Sequence, residues 1–287
     1  MTKKKIRINE IFLYGLIFLC SLMAVLFLVF IIAYVLSKGF KSVTPEFLTT
    51  VTSVRKGTVG IAGNIVNTIL IIILTMLIAT PIGVGAAIYL NEYAKPGKFV
   101  ATIEFATEVL AGIPSIIFGL FGMMFFGETL GLGYSILTGS LTLILMVLPL
   151  ITRNTQEALK TVPNGYRNGA IGLGAGKWYM IRTILIPSSM PGIITGVILA
   201  IGRIVGESAA LLFTAGSAKL LPKGILGIFD KIFQSGGTLT IQLYLSATSE
   251  GDFESAFGIA VVLLVIVLLI NIATKTLTKR FDVSKQT

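Results

Sequence analysis

The sequence predicts an all-α integral membrane protein with six transmembrane helices. Three observations carry that expectation. Charged residues make up only 13% of the chain, about half the share usual in a soluble domain. Hydrophobic residues reach 54%, and they gather into runs of the ~20 residues that a helix needs to cross a bilayer. The Lys and Arg residues are sorted by side across those runs, as they are when anionic leaflets and insertion fix orientation.

The elements follow in order. Residues 1–10 are a tail carrying Lys3, Lys4, Lys5 and Arg7. Residues 11–36 are an uncharged run containing the single cysteine, Cys20. The run is too long for a signal peptide and no small-residue cleavage site follows it, so it is expected to stay as the first span. A core of residues 60–274 holds the other five. The second span lies within Gly60–Leu90, where Asn64 and Asn67 are placed to hydrogen-bond between helices. The third runs from Phe99 to Phe126, with Glu104 and Glu108 in its first turns, facing Arg153 or Arg167 as possible partners. Gly112, Pro114 and Ser115 interrupt it, and Pro114 removes a backbone donor, so the helix should kink or break there. Such a break either exposes backbone donors to an anion or serves packing and gating. The fourth span is Tyr134–Thr152, the fifth Ser188–Phe213 and the sixth Ser255–Thr274, leaving a tail at 275–287. A Gly-punctuated stretch, Ile225–Phe233, is expected either as a short interfacial helix or as a packed loop.

Six spans place both termini on one side. Fifteen Lys and Arg residues fall on that side and seven on the other, which predicts cytoplasmic termini. The net charge of +10 therefore faces lipid headgroups and not nucleic acid. With no histidine and one cysteine, a zinc or haem site is not expected. No Gly-rich phosphate loop ending in Lys-Ser or Lys-Thr is present, so no ATP hydrolysis and no catalytic residue is expected in this chain.

Residues 153–187 are the only sizeable connection on the side of the termini. Pro163 can open a helix there and Asn164 can help cap it. Gly172, Gly174 and Gly176 permit a tight turn, and Trp178 and Tyr179 suit the headgroup level. A short helix held flat under the bilayer makes a docking knob for a cytoplasmic partner.

This segment resembles ABC importer permeases, whose signature is Glu-Ala-Ala, three residues, Gly, nine residues, Ile, one residue, Leu-Pro. The chain reads Asn168-Gly169-Ala170, then Gly174, then Ile184-Leu185-Ile186-Pro187. Asn168 stands where the family has Glu, Gly169 where it has Ala and Ile186 where it has Leu. Within that family the segments 111–119, 191–196 and 206–214 look most like phosphate-importer permeases of the PstA type, which often have Pro at the position of Ala210. The resemblance implies a type I ABC importer permease fold. It implies docking to the ATPase through Arg167, Asn168, Gly169, Ala170, Gly174 and Pro187. It also implies a second permease subunit (PstC-like), a dimer of ATP-binding subunits (PstB-like) carrying ATP and Mg, and an external phosphate-binding protein (PstS-like).

Arg203 and Glu207 stand four apart within the fifth span, on one helix face. Each buried charge costs roughly 2.5–3.5 kcal/mol on insertion scales. Two readings remain: an ion pair that locks the bundle, or an arginine that offers positive potential to a passing anion while the glutamate holds it. Arg153, just after the fourth span, either snorkels to the headgroups or draws the anion toward the inner mouth.

Overall fold

A helix that is apolar on every face has nowhere to go in water, and one such helix opens the chain. The computed structural model describes residues 8–53, 58–222, 224 and 227–281. Most of the basic N-terminal tail, Ile225 and Leu226 of the Gly-punctuated stretch and the last six residues lie outside that set. Helix α1 is Ile8–Gly39. Its side chains from Phe12 onward are nearly all exposed, as expected of a lipid-facing span. It touches the bundle through helix α13 (Phe253–Phe281), where the Tyr34 and Phe257 rings meet edge to face at 5.8 Å.

Between them the order is α2 (Pro45–Thr49), β1 (Val51–Ser53), β2 (Thr58–Ile61), α3 (Ala62–Ile88), α4 (Lys98–Gly112), α5 (Ser115–Gly122) and α6 (Ile136–Lys160). Then come α7 (Asn164–Gly172), α8 (Lys177–Met180), α9 (Ile186–Val205), α10 (Ala209–Thr214), α11 (Gly227–Ile232) and α12 (Leu239–Thr248). Wide π-helical turns extend α3 through Tyr89–Tyr93, extend α5 through Met123–Thr129, and join α8 to α9 through Ile181–Leu185. The β1–β2 pair is a small antiparallel hairpin with Val51 opposite Ile61, a detail outside the all-α expectation.

Among the described residues, five helices are long and apolar enough to cross a membrane: α1, α3, α6, α8 with α9, and α13. A sixth span exists only if α4 and α5 count as one, and they are bent by 102°. The third expected span is thus broken rather than kinked. Ile113 and Pro114 are both extended, at ψ 131 and 139°, because the residue before a proline is pushed out of the helical region. The fourth span also differs. Helix α6 runs on to Lys160, so Arg153 lies inside a helix and not in a loop.

Helix α6 is the hub. Its Leu143, Val147 and Ile151 are fully buried, against Ile71 and Ala79 of α3 and Ala200 and Ile204 of α9. Lipid tails are as apolar as leucine, so close backbone approach is what holds such helices together. Gly192 and Gly196 supply it on α9. A Cβ on Gly196 would stand 2.7 Å from Asn154 Cβ of α6, and one on Gly192 would stand 2.5 Å from Ala158 Cβ.

At the end of the bundle opposite α7, a returning segment is stitched to α3. The Asn64 amide donates to Gly237 O at 2.9 Å, and the Asn67 amide donates to Ala218 O and Gly237 O at 3.1 Å each. These asparagines bond backbone carbonyls of a loop, not a neighbouring span. Helix α11 packs there against α6, with Phe229 and Phe233 exposed and Lys231 buried.

Candidate functional site

The expected site residues fall into two regions. The first is a pair of helix breaks. Helix α9 stops at Val205, its last turn closed by Gly206 and Glu207 amides donating to Gly202 O and Ile204 O. The chain restarts as α10, and Glu207 Oε1 accepts from the Ala210 amide at 3.0 Å. Its own carbonyl accepts from Thr240 Oγ1 at 2.9 Å. Arg203 and Glu207 therefore do not share a helix face, and no ion pair joins them among the described residues. The physical reason is local. A carboxylate next to Ser208 satisfies orphan amides of a new helix better than it continues an old one. Arg203 is left exposed in the last turn of α9, without a hydrogen-bond or ion-pair partner among the described residues.

Helix α10 packs on α5, so segments 111–119 and 206–214 meet. Gly119 lies on the contact: a Cβ there would stand 2.8 Å from Ala210 Cα. The cavity inside the α4–α5 bend, about 550 Å³, is lined by apolar groups such as Ile113, Phe118, Leu148 and Pro149. Gly112 has open space around it, and Ser115 begins α5.

Arg153 is not free. Its guanidinium lies 3.6 Å from Glu108 Oε1 and 3.6 Å from Glu157 Oε1, with all three side chains well exposed. It borders a polar pocket of about 260 Å³ with Glu104, Gln156 and Lys160.

The second region is the connection from α6 to α9. Pro163 precedes α7, and Asn164 does not cap it. The Asn164 Oδ1 instead accepts from Arg167 Nη1 at 3.4 Å. Gly174 sits at φ +77°, where a Cβ is strained, and turns the chain between α7 and α8. Beneath lies a small core of Leu159, Val162, Ala170, Met180, Ile181 and Leu185. Outside, Tyr166, Ile171, Leu173, Trp178 and Tyr179 are exposed, Leu173 at 91%. Asn168 and Gly169 share that exposed side, and Pro187 enters the first turn of α9. Trp178 and Tyr179 stand in the first turn of the α8–α9 span, and the exposed apolar surface before it, on α7 and at Leu173, marks an interaction site.

Arg167 faces inward. Its guanidinium donates to Leu159 O at 2.9 Å, Val162 O at 2.8 Å and Glu92 Oε1 at 2.9 Å. The Arg167–Glu92 pair is largely buried, at 16% and 6% side-chain exposure, and removing one partner of such a pair costs about 3–5 kcal/mol. Sequence reasoning offered Glu104 and Glu108 to Arg167 and missed Glu92. No local pattern pointed to it, since Glu92 and Arg167 are 75 residues apart.

At the opposite end Glu250 accepts from Ser246 Oγ at 2.9 Å, Gln242 Nε2 at 3.1 Å and Lys219 Nζ at 3.2 Å. Burial pushes its carboxyl up, and these three donors together hold it below the usual glutamate range. Burial lowers the pKa of the Lys231 ammonium, which donates to Ser235 O at 2.9 Å.

Residues 79–284 match the family model of the binding-protein-dependent transport system inner membrane component. The chain belongs to this family. It is a permease subunit of an ABC importer, of the non-catalytic kind that couples to an ATPase and works with a substrate-binding partner. It is 36% identical over 273 residues to the probable ABC transporter permease protein YqgI of Bacillus subtilis, covering 92% of each chain. It is 34% identical over 251 residues to the phosphate transport system permease protein PstA of Xylella fastidiosa, covering 85% of this chain and 84% of that one. Among solved structures, a chain of the bacterial alginate ABC transporter superposes with a TM-score of 0.70 at 13% identity, covering 96% of each. That likeness shows the permease fold, a multi-pass membrane protein, and not the cargo.

Proposed function

We propose that this permease subunit forms half of the translocation path of an ATP-driven phosphate importer. The observation that carries the reading is Arg203. It is an exposed cation, unpaired among the described residues, in the last turn of a membrane-spanning helix, about 25 Å along α9 from Ile186. A cation left so in lipid costs several kcal/mol. A second permease subunit that closes a polar cavity over it would remove that cost, and a guanidinium suits a phosphate oxyanion there. The 34% identity to a phosphate permease supports that cargo. Glu207 holds the turn below Arg203, and Arg153, balanced by two carboxylates, stands near the inner mouth. Gly112, Pro114 and Ser115 form the bend beside that path.

In the same proposal, Arg167, Asn168, Gly169, Ala170, Gly174 and Pro187 belong to the docking segment for a PstB-like ATPase dimer carrying ATP and Mg. A PstC-like permease completes the path, and a PstS-like protein delivers phosphate from outside. Both termini, with tails 1–10 and 275–287, are cytoplasmic, as is segment 153–187, while 11–36 is the first span and 60–274 the core. The mechanism is alternating access. ATP closes the ATPase dimer, the docking segment moves, and the path opens on one side and shuts on the other.

Docking is tested by cross-linking. Asn168→Cys, in a Cys20→Ser background and carrying a photoactivatable thiol reagent, is expected to capture the ATPase subunit in the assembled complex. Capture of the binding protein instead would invert the orientation, and no capture would remove the docking assignment.

A further inference from the structure

A docking segment does work only if its displacement reaches the spans, and its two covalent links lead to α6 and α9. Helix α3 has no such link, yet it packs against α6 along most of its length. The terminal π-helical turn of α3, Tyr89–Tyr93, reaches the docking segment at two points. Glu92 Oε1 accepts from Arg167 Nη2 at 2.9 Å on the α7 side. The Lys177 ammonium lies 4.8 Å from the centre of the Tyr93 ring on the α8 side. The Asn91 amide donates to the same Glu92 oxygen at 2.7 Å and fixes it. Arg167 in turn spans Leu159 O in the last turn of α6 and Val162 O just beyond it, where the helix end carries negative potential. One guanidinium thus ties the ends of α3 and α6 to α7, with Ile88 of α3 packed on the small core beneath.

We propose that Glu92 and Tyr93 form a clasp that makes the docking segment and α3 move as one body, with Glu92 and Arg167 as its positioning residues. The inference rests on the docking reading, and its failure is separable from that reading, because the Asn168 cross-link does not depend on Glu92. Two neighbouring residues hold two cations on either side of the Gly174 turn, so a push on the segment from either direction pulls on α3. An ion pair and a ring contact are the right strength for a joint: each resists shear, and neither is covalent.

The test uses the whole importer complex in lipid nanodiscs, with and without ATP. Spin labels are placed at Tyr179→Cys on α8 and at Leu77→Cys, an exposed position of α3, in the Cys20→Ser background. In the native clasp the distance between them is expected to stay constant as nucleotide binds. In Glu92→Gln it should shift with nucleotide, and phosphate uptake per ATP hydrolysed should fall. Glu92→Asp, which keeps the charge, should restore both. A distance that shifts with nucleotide in the native complex would overturn the clasp. So would one that stays constant in Glu92→Gln. If Glu92→Gln fails to assemble, Tyr93→Leu decides, since it leaves the ion pair in place: a distance that shifts supports the clasp, and a constant one overturns it.

Discussion

Arg203→Ala is expected to abolish phosphate uptake in a complex that still assembles. Arg203 has no hydrogen-bond or ion-pair partner among the described residues and stands exposed on the chain, so truncating it breaks no contact that holds the bundle. Hydrogen bonds to a charged group contribute about 1.5–3 kcal/mol, which is roughly ten- to hundredfold in rate or affinity when lost at the point of passage. The measurement is radiolabelled phosphate uptake into proteoliposomes beside the yield of intact complex. Arg203→Lys keeps the charge but loses the fork of donors, and should retain part of the activity. Native uptake by Arg203→Ala would remove this residue from the path. Glu207→Gln makes a useful contrast. Its oxygen caps α10 by accepting from the Ala210 amide, and Gln keeps an acceptor there, so the fold should tolerate the change.

The second large effect belongs to Gly119→Leu. The α5–α10 contact joins the two broken helices, and at Gly119 the backbones touch: even a Cβ would stand 2.8 Å from Ala210 Cα. That neighbour is backbone, which cannot swing aside as a side chain can. Overpacking of this sort costs roughly 1–3 kcal/mol or more. Gly119→Leu should therefore lower the thermal midpoint of the purified complex and eliminate transport together. Gly112→Ala is the control from the same segment, since nothing lies within 4 Å of its added Cβ. Equal behaviour of the two variants would mean that the α5–α10 contact does not hold the breaks in place.

Spans were legible because hydropathy averages over ~20 residues and tolerates local error. The break at Pro114 was legible too, since a missing donor and a blocked preceding residue are properties of one side chain. Its 102° bend was not, because an angle is set by what α4 and α5 pack against. The stop at Val205 was hidden for a different reason. Arg203 and Glu207 at a spacing of four read as a helical pair, and the competing reading, a carboxylate capping the next short helix, uses the same residues. Helix α6 was cut short at Arg153 because a charge looked like a membrane boundary. The buried Thr155, Ala158 and Leu159 continue a helical stripe that would have carried it on to Lys160. The docking turn was readable through Gly174 and its neighbours. The Glu92–Arg167 joint was not, since its partners are 75 residues apart and no local pattern links them.

The most direct measurement of the central claim is ATP hydrolysis by the assembled complex in liposomes, with its binding protein, titrated with phosphate and then with sulfate and molybdate. Stimulation by phosphate and by neither of the others is expected. Stimulation by sulfate or molybdate, with phosphate silent, would contradict the cargo while leaving the permease architecture in place.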